Sequence, residues 1–399
     1  MNKIRVVWIC HFSNAEVQQI LKPSKKVNEY ASWIPLSLKY IENNNKFEIN
    51  IIAPHEYIRG IHQFDLREIH YYFFNPYMPI IGRHWPKFFK WDYISNFAKS
   101  KRIVRRLINQ IKPDVIHLQG AENPYYSSTV LQFIDKHPTV LTVQGFFSHS
   151  SGGEKGLTLK RMNIEQEILQ KIPVAFYRTK KMAMDIQMYN PNVHLFWHTY
   201  GSFYIDPIYV EKKYDIVFFA RISKDKGIVD LLKAISILKN KKSDINLCVI
   251  GGGDIVKFQY LAIELGINEN VIWAGFLPTQ KDVHQMAAQA KISVLPTYFD
   301  IIPGTIIESM FLGIPVVSYA VDSIPEVNEK GEVISLVEKG DIEALAKAME
   351  ELLDNEALRL ERSQKAMKRA KDMFSFTNDQ IVDSLYRGYI AAIEDFEKK

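Results

Sequence analysis

Two carboxylates flank a Pro-Gly-Thr turn in the second half of the sequence. Asp300 follows the apolar run KISVLP, and Glu308 lies eight residues later, in a helical run that begins near Thr305. The first amides of a helix have no helical acceptor and lie at the positive end of its dipole, so Gly304 and Thr305 are expected to bind an anion. The two carboxylates would accept hydrogen bonds from hydroxyl groups. The pattern therefore predicts a site for a ligand with both phosphate and hydroxyls, such as a sugar nucleotide.

Two cations follow the apolar strand DIVFFA. Arg221 and Lys226 lie in the segment RISKDKG, and Gly227 opens the next helix. Ligands of open α/β sheets bind at the carboxyl ends of strands. A guanidinium fork and a compact ammonium group could neutralise a diphosphate without a metal ion. A solvated basic loop is the alternative, but the carboxylates on a later loop of the same sheet favour a binding site.

A glycine-rich turn and an aromatic residue extend this predicted site. Gly252 lies within the turn after the strand NLCVIG, and Phe276 follows the strand NVIWAG. The turn would let a nucleotide approach the backbone, and Phe276 could flank a base; a packing role for Phe276 is the alternative. The G-x-G-x-x-G and G-x-x-x-x-G-K-[ST] patterns are both missing from the sequence, so neither a dinucleotide fingerprint nor a P-loop is indicated.

Strand-like and helical runs alternate along both halves of the sequence, which favours parallel sheets covered by helices. The periodicity lapses near residues 200 to 214 and then resumes with a second, similar series. The sequence therefore predicts an α/β protein with two doubly wound, Rossmann-like domains facing a cleft. We place the first domain at 1–205 and the second at 206–375, and expect the helix of 376–399 to pack back on the first domain.

The length, composition and cysteine content favour a cytoplasmic protein of two domains. With 399 residues and 47% hydrophobic content, the chain can form two domains of ordinary size. The first residues show no secretory signal, and Cys10 and Cys248 lie in separate apolar strands, so we expect buried reduced thiols and a cytoplasmic location. No spaced cluster of His, Asp or Cys predicts a metal site.

The net charge of +5 is unevenly distributed. Residues 79–112 carry nine basic residues against Asp92, and Tyr71 to Phe97 contains eleven aromatic residues. This combination is typical of contact with an anionic membrane, here at the inner face, with SNFAKSKRIVRRLINQI as an amphipathic helix. A solvated helix that packs its apolar side inward is the alternative. Nucleic acid is not expected as a partner, because no nucleic-acid-binding module accompanies the patch.

Five motifs in order resemble the nucleotide-binding half of retaining glycosyltransferases of family 4, which have the GT-B fold. The resemblance is firm from about Asp215 to Val327 and looser over the N-terminal half, where members that build bacterial capsule or other surface polysaccharides are most similar. The motifs are FFARISKDKG, VIGGGD, VIWAGFLP, ISVLPTYFDIIPGTIIESMFLGIPVV and SIPEV.

The resemblance implies roles for four side chains. Arg221 and Lys226 would hold the donor diphosphate, Glu308 the nucleotide ribose, and Asp300, where the family usually has glutamate, the transferred sugar. It also implies retention of anomeric configuration, no cofactor, a nucleotide-sugar donor and a glycan or lipid-linked glycan acceptor. A UDP-sugar is our first choice of donor. A non-catalytic nucleotide-sugar-binding or scaffold subunit is the alternative function.

Four residues of the first half are candidates for the acceptor or sugar side. Gln144 stands where many family members have a histidine, which excludes a general base there, and it could hydrogen-bond the donor sugar together with the Gly145 backbone. An ordinary strand-end glutamine is equally consistent with the sequence. His11 follows the first strand, and a cap or packing role is its alternative. His149 precedes the flexible segment 152–156, which is either an acceptor loop or an ordinary surface loop.

Overall fold

The computed structural model describes residues 3–25, 27, 30–42, 44–77, 91–149 and 156–398. The chain forms two compact units. Unit 1 consists of Met1–Gly201 and Phe376–Lys399, and unit 2 of Ser202–Ser375. The sequence-based boundaries lie at 205/206 and 375/376.

Unit 1 is built on an eight-stranded sheet in the order β3-β4-β2-β1-β5-β6-β7-β8, in which only β3 runs antiparallel to its neighbour. Its strands are β1 (Ile4–Ile9), β2 (Phe47–Pro54), β3 (Ile61–Leu66), β4 (Ile69–Phe74), β5 (Val115–Gln119), β6 (Thr139–Thr142), β7 (Val174–Tyr177) and β8 (His194–Trp197).

Helices cover this sheet. They are α1 (Ala15–Leu21), α2 (Trp33–Ile41), α3 (Trp91–Ile94), α4 (Ala98–Ile111), α5 (Pro124–Ser127), α6 (Gly156–Lys171), α7 (Lys180–Tyr189) and, from the end of the chain, α14 (Asn378–Glu397). A capping box between Thr377 and Gln380 starts α14, and its apolar face packs on α2 and on the strands of this sheet.

Unit 2 is built on a six-stranded sheet, parallel throughout, in the order β11-β10-β9-β12-β13-β14. Its strands are β9 (Tyr214–Phe219), β10 (Leu247–Ile250), β11 (Val271–Gly275), β12 (Ala290–Leu295), β13 (Val316–Tyr319) and β14 (Ser335–Val337). Its helices are α8 (Ile228–Lys239), α9 (Ile255–Glu264), α10 (Gln280–Ala287), α11 (Gly304–Phe311), α12 (Ile342–Asp354) and α13 (Glu356–Phe374).

Both sheets are doubly wound, as the alternating pattern predicts. In each unit the strand order reverses beside the first strand, between β1 and β5 in unit 1 and between β9 and β12 in unit 2. Crevices at the carboxyl ends of strands next to such a reversal are the usual ligand sites of this architecture. The fold therefore gives each unit one preferred place for a ligand.

The aromatic residues of 71–97 differ in burial, and Tyr72, Tyr77, Trp91 and Tyr93 are partly exposed. Tyr71, Phe73 and Phe74 of β4 and Phe97 before α4 are buried in the core of unit 1, so reading them as membrane-facing is wrong. Burial of alternate large side chains on a strand accounts for them better. Residues 78–90, which carry Trp85 and the Phe88-Phe89 pair, lie outside the described residues.

His117 lies in a buried polar cluster of unit 1. Its Nδ1 lies 2.8 Å from the Tyr389 hydroxyl on α14, and its Nε2 lies 2.7 Å from Thr142 Oγ1. Trp8 Nε1 donates to the same Tyr389 hydroxyl at 3.0 Å. Burial keeps the pKa of His117 well below its ordinary value, so the ring is neutral. Both ring nitrogens of His117 thus have partners within unit 1. Both cysteines are buried free thiols, as predicted.

Candidate functional site

A cavity of about 740 Å³ opens in unit 2 at the carboxyl ends of β9, β10 and β11 and at the start of α11. It lies beside the β9/β12 reversal of strand order. Six of the residues selected from the sequence line it, namely Arg221, Gly252, Phe276, Gly304, Thr305 and Glu308. The structure therefore brings together residues that lie far apart in the sequence.

The start of α11 provides the amides of this cavity. Gly304 and Thr305 are its first residues, and the Thr305 hydroxyl donates to the carbonyl oxygen of Phe219 at 2.7 Å, which ties the helix to the end of β9. Pro303 lies just before the helix in an extended conformation, rather than within the first turn. No acidic residue lies in that first turn, so the positive end of the dipole is not neutralised there.

Lys226 and Asp300 do not line this cavity but form an ion pair next to its wall. The ammonium group donates to Asp300 Oδ2, and the two side chains are only 21% and 24% exposed. The Asp300 amide donates to Asp322 Oδ2 at 3.0 Å, which fixes the loop after β12. Asp322 follows a different strand, β13, so nothing local to Asp300 in the sequence predicts this contact.

The loops after β9 and β12 approach each other so closely that one position requires glycine. Gly227 has φ +80°, and a Cβ there would lie 1.9 Å from the carbonyl oxygen of Pro296. The amide of Tyr298 donates to the carbonyl oxygen of Asp225 at 2.9 Å across the same junction. This contact places Lys226 beside Asp300.

Arg221 is an exposed cation whose carboxylate partner is local. Its side chain is 65% exposed, Nη2 pairs with Asp225, and Nε donates to Ser223 Oγ at 3.3 Å. Burial acts to raise the pKa of Asp225, but hydrogen bonds from Ser223 and Arg221 outweigh it and lower the pKa. An arriving anion would compete with Asp225 for this guanidinium group.

Glu308 is held by two side chains of α10 that the sequence analysis missed. Gln280 Nε2 donates to Glu308 Oε2 at 2.7 Å, and His284 Nε2 lies 3.2 Å from the same oxygen. The i, i+4 spacing of Gln280 and His284 places both on one face of α10 and was the available signal. Together they orient the carboxylate, while Glu308 also lines the cavity.

The glycine-rich turn brings backbone to the cavity wall. Gly251 and Gly253 have φ of +145° and +151°, and a Cβ at either would lie within 2.3 Å of a carbonyl oxygen of the neighbouring loop. A Cβ at Gly252 would meet only Phe276, at 3.8 Å. The Phe276 ring is 79% exposed, so it does not pack in the core of unit 2 and presents a face to any ligand of the cavity.

Unit 1 carries its own cavity, of about 220 Å³, at the carboxyl ends of β1 and β5. His11 lines it and lies between the rings of Tyr30 and Tyr126, at centroid distances of 4.5 and 5.9 Å. Aromatic and polar side chains make up most of the wall, including His11, Tyr30, Glu56, Tyr77, Tyr93, Asn123, Tyr125 and Arg161.

The other three candidates of unit 1 are not in that set. Gln144 and Gly145 follow β6, and His149 is exposed in a short 3-10 turn, where it stacks on Phe146 at 4.6 Å. The proposed acceptor loop of 152–156 falls almost wholly outside the described residues. The structure thus places the candidates of unit 1 at one sheet edge without gathering them into one cavity.

A buried carboxyl that the sequence analysis missed lies at this edge. Glu122 follows β5, its Oε2 is buried without a partner, and Oε1 accepts from the Tyr126 hydroxyl at 3.3 Å. Burial raises the pKa of Glu122 to about 7, and the repulsion of Glu165 adds to the effect. Gly120, with φ +89°, is required because a Cβ there would lie 2.5 Å from Glu122 Oε2.

Within the described ranges, His, Cys, Asp and Glu side chains do not gather in groups of three or more that could hold a metal ion. None of the helices in the described part of the chain combines the length and apolar character needed to cross a bilayer.

Residues 207–372, nearly all of unit 2, match the family described as "Glycosyl transferases group 1". The chain is also 28% identical over 332 residues to the capsular polysaccharide biosynthesis glycosyltransferase CapM of Staphylococcus aureus, an alignment that covers 75% of this chain and 84% of CapM.

Solved structures share the fold. Sucrose-phosphate synthase from Thermosynechococcus elongatus superposes with a TM-score of 0.73 at 15% identity, covering 98% of this chain and 100% of that one. Anabaena Alr3699/HepE in complex with UDP-glucose does so with a TM-score of 0.66 at 14% identity, covering 96% and 100%. The expected GT-B fold is confirmed, and residues 207–372 form a group 1 glycosyltransferase domain.

Proposed function

We propose that the protein is a retaining glycosyltransferase that moves a sugar from a nucleotide-sugar donor to a saccharide or lipid-linked saccharide acceptor in the synthesis of a bacterial surface polysaccharide. One observation carries the proposal. The Arg221 guanidinium group, the amides at the start of α11 and the oriented Glu308 carboxylate meet around a single cavity, at the edge where a doubly wound sheet binds ligands.

The diphosphate of the donor would lie between Arg221 and the start of α11. The guanidinium group offers two parallel donors for phosphate oxygens, and the amides of Gly304 and Thr305 add the positive end of the helix dipole. Lys226 would contribute a second cation once a phosphate oxygen competes with Asp300 for it.

The remaining residues suit the other parts of a nucleotide sugar. Glu308, held by Gln280 and His284, would accept hydrogen bonds from the ribose hydroxyls. Phe276 offers an exposed ring face to a base. Asp300 would bind hydroxyls of the transferred sugar, and its shorter side chain compared with glutamate means that this sugar must approach the loop more closely. The HepE complex with UDP-glucose supports a UDP-sugar as the first donor to test.

The proposed mechanism is electrostatic and independent of metal ions. Negative charge grows on the departing diphosphate as the sugar passes through an oxocarbenium-like state, and Arg221, Lys226 and the helix amides would stabilise that charge by a few kcal/mol, on the order of one oxyanion-hole donor. The departing phosphate would accept the proton of the acceptor hydroxyl. Retention of configuration follows when the acceptor attacks from the face that the diphosphate leaves.

Unit 1 would bind the acceptor. Its tyrosine-lined cavity can receive a pyranose ring, because the C–H face of a sugar packs on aromatic rings while its hydroxyls reach groups such as Asn123 and Arg161. Similarity to CapM over 75% of the chain supports a role in polysaccharide synthesis.

Contact with an anionic membrane through 79–112 is a second part of the proposal. In the described part of this segment, α4 buries Val104, Leu107 and Ile108 in unit 1 and exposes Arg102, Arg105 and Arg106. The apolar face is thus already used, so binding would be electrostatic. Co-sedimentation with anionic vesicles should fall when the three arginines are changed to glutamate, and equal binding by that variant would argue against it.

A transfer assay with a panel of nucleotide sugars tests the function directly. We expect one donor, first among them a UDP-sugar, to be consumed in the presence of a polysaccharide repeat-unit acceptor and of excess chelator. Nuclear magnetic resonance of the product should show the anomeric configuration of the donor. Loss of activity on chelation would contradict the metal-free mechanism, and binding of donor without any turnover would favour the non-catalytic subunit.

A further inference from the structure

An arginine at the carboxyl edge of unit 1 has no carboxylate partner in the described part of the chain. Arg178 directly follows β7, and its Nε is buried without a hydrogen-bond partner. Its guanidinium carbon lies 4.1 Å from the centroid of the Tyr200 ring, and Nη2 donates to the carbonyl oxygen of Gln144 at 3.4 Å. A buried donor that binds nothing is costly, so this position calls for a function.

The neighbouring strand end offers a second unsatisfied donor. Thr142 of β6 pairs with Phe176 of β7, so the same register places Gln144 opposite Arg178. The side-chain Nε2 of Gln144 is also buried without a partner. Two adjacent strand ends thus present N–H groups that the described residues leave unused.

Among the described residues, none of the neighbouring side chains forms an ion pair with Arg178. His198 is neutral, because burial and then the repulsion of Arg178 lower its pKa to about 3. The Glu165 carboxylate already accepts the amides of Phe147 and Ser148, at 2.8 and 2.7 Å. Tyr200 contributes the face of its ring, while its hydroxyl donates to Val143. The cation is therefore partly buried and has no carboxylate bound to it among the described residues.

Space is free beside the backbone that follows Gln144, next to Arg178. A Cβ built on Gly145 would meet no other atom within 4 Å. Next to Arg178, Thr179 caps the start of α7, so the positive end of that ten-residue helix lies beside the guanidinium group. Space, two unused donors and positive potential coincide here.

From this arrangement we infer that Arg178 and Gln144 form a binding site for a carboxylate or phosphate oxyanion carried by a sugar substrate. The inference rests on the proposed function and makes it more specific: one substrate would be anionic at a point other than the donor diphosphate. The oxyanion would accept from Arg178 Nε and from the Gln144 amide, and its charge would neutralise the guanidinium group. A uronic acid and the phosphate of a lipid-linked acceptor share this chemistry.

The test is a ligand-observed nuclear magnetic resonance titration of the full chain with saturating UDP, which removes phosphate binding at unit 2. Glucuronate, dodecyl phosphate and neutral glucose are the probes. Wild type, Arg178→Gln, Arg178→Lys and the control Arg59→Gln, which removes an exposed arginine of the loop after β2, are compared at one ionic strength. Thermal unfolding of each variant checks that it is folded.

We expect one anionic probe to bind wild type and the control with equal affinity. Its affinity should be at least tenfold lower for Arg178→Gln and should be partly restored in Arg178→Lys. Glucuronate as that probe identifies an acidic sugar, and dodecyl phosphate identifies a phosphate-linked acceptor. Binding of neither probe, or equal binding by Arg178→Gln, overturns the inference. In either case UDP binding by the same samples shows whether the proposed function stands, because UDP requires unit 2 and not Arg178.

Discussion

The carboxyl edges of the two sheets differ in how their polar side chains are partnered. In unit 2, Lys226 pairs with Asp300, Arg221 with Asp225, and Glu308 with His284, around an open cavity with glycine in its wall. In unit 1, Glu122, Gln144 and Arg178 each keep a buried polar atom without a partner. A ligand of unit 2 would therefore compete with these internal partners, whereas a ligand of unit 1 would satisfy polar atoms that have no partner.

This difference has a physical cause in the loops. The loops of unit 2 that hold its site are short and fastened to each other by backbone contacts such as Tyr298 to Asp225, so their charges meet. At the edge of unit 1, aromatic rings separate the polar groups, as Tyr126 does between His11 and Glu122. One architecture thus gives a charged cavity edge in unit 2, where we propose that the diphosphate binds, and an aromatic cavity in unit 1, where we propose that a sugar binds.

The largest effect is expected where the loops of unit 2 touch. Gly227→Ala would place a Cβ against the Pro296 carbonyl oxygen at positive φ, and should destabilise unit 2 by about 2–5 kcal/mol. Chemical denaturation measures the change. Gly252→Ala is the control, since its Cβ would meet only Phe276 at 3.8 Å. Equal stability of both variants would mean that the loops are not closely packed.

Lys226→Ala tests whether the internal ion pairs belong to the ligand site. Removal of the ammonium group leaves Asp300 unneutralised near the diphosphate, and affinity for a UDP-sugar should fall about 10- to 100-fold. Arg221→Ala should have a smaller effect, because its side chain is 65% exposed. Calorimetry gives both affinities, and Lys224→Ala, an exposed lysine in the same loop, should bind as wild type. An equally large loss of affinity in Lys224→Ala would show that the effect comes from net charge and not from a specific contact of Lys226.

Glu122→Gln tests the buried character of the edge of unit 1. The pKa of the Glu122 carboxyl is raised to about 7 from the ordinary 4.5. Between these two pH values the native carboxyl holds a proton that the unfolded chain has released. Its stabilising contribution is therefore present below pH 4.5 and is lost as the pH rises through 7. The variant should match wild type near pH 4 and be more stable by about 1–3 kcal/mol at pH 8.

Urea denaturation at the two pH values measures this difference. Glu167→Gln is the matched control, because that side chain is about half exposed and pairs with Lys171 on the surface of α6. A difference between Glu122→Gln and wild type that does not change with pH would show that the carboxyl at position 122 is hydrated and ionised in the native state.

Phe276→Ala is expected to have the smallest effect. Loss of an exposed ring should leave stability unchanged and weaken UDP binding about tenfold, as removal of one base-stacking contact does. Tyr260→Ala, another exposed aromatic residue of unit 2, is the control. Unchanged affinity would place the base elsewhere in the cavity.

The sequence predicted unit 2 better than unit 1 for reasons visible in particular residues. Arg221, Gly304 and Glu308 lie within a few residues of their strand or helix ends, so local patterns locate them. Gln280 and His284 act on Glu308 across the fold, and nothing local to Glu308 predicts them. The hairpin of β3 and β4 was missed because Arg67 and Glu68 occupy its turn at positive φ, where glycine or asparagine would have signalled it.

In unit 1 the important contacts connect distant segments. Glu122, Arg161 and Arg178 lie on three different elements, and their surroundings depend on which strands are neighbours. The composition of 71–97 suggested a membrane surface, yet a strand with alternate buried rings has the same composition. The burial of the rings in the structure, rather than their residue type, distinguishes a core strand from a membrane surface.

The most direct test of the central claim is a calorimetric titration of UDP-glucose into the full chain in excess chelator, repeated with the Arg221→Ala/Lys226→Ala double variant. Binding by wild type and none by the double variant is the expected result, because we propose that both cations hold the donor diphosphate. Equal affinity in the two proteins, or loss of wild-type binding on chelation, would contradict the proposed metal-free site in unit 2.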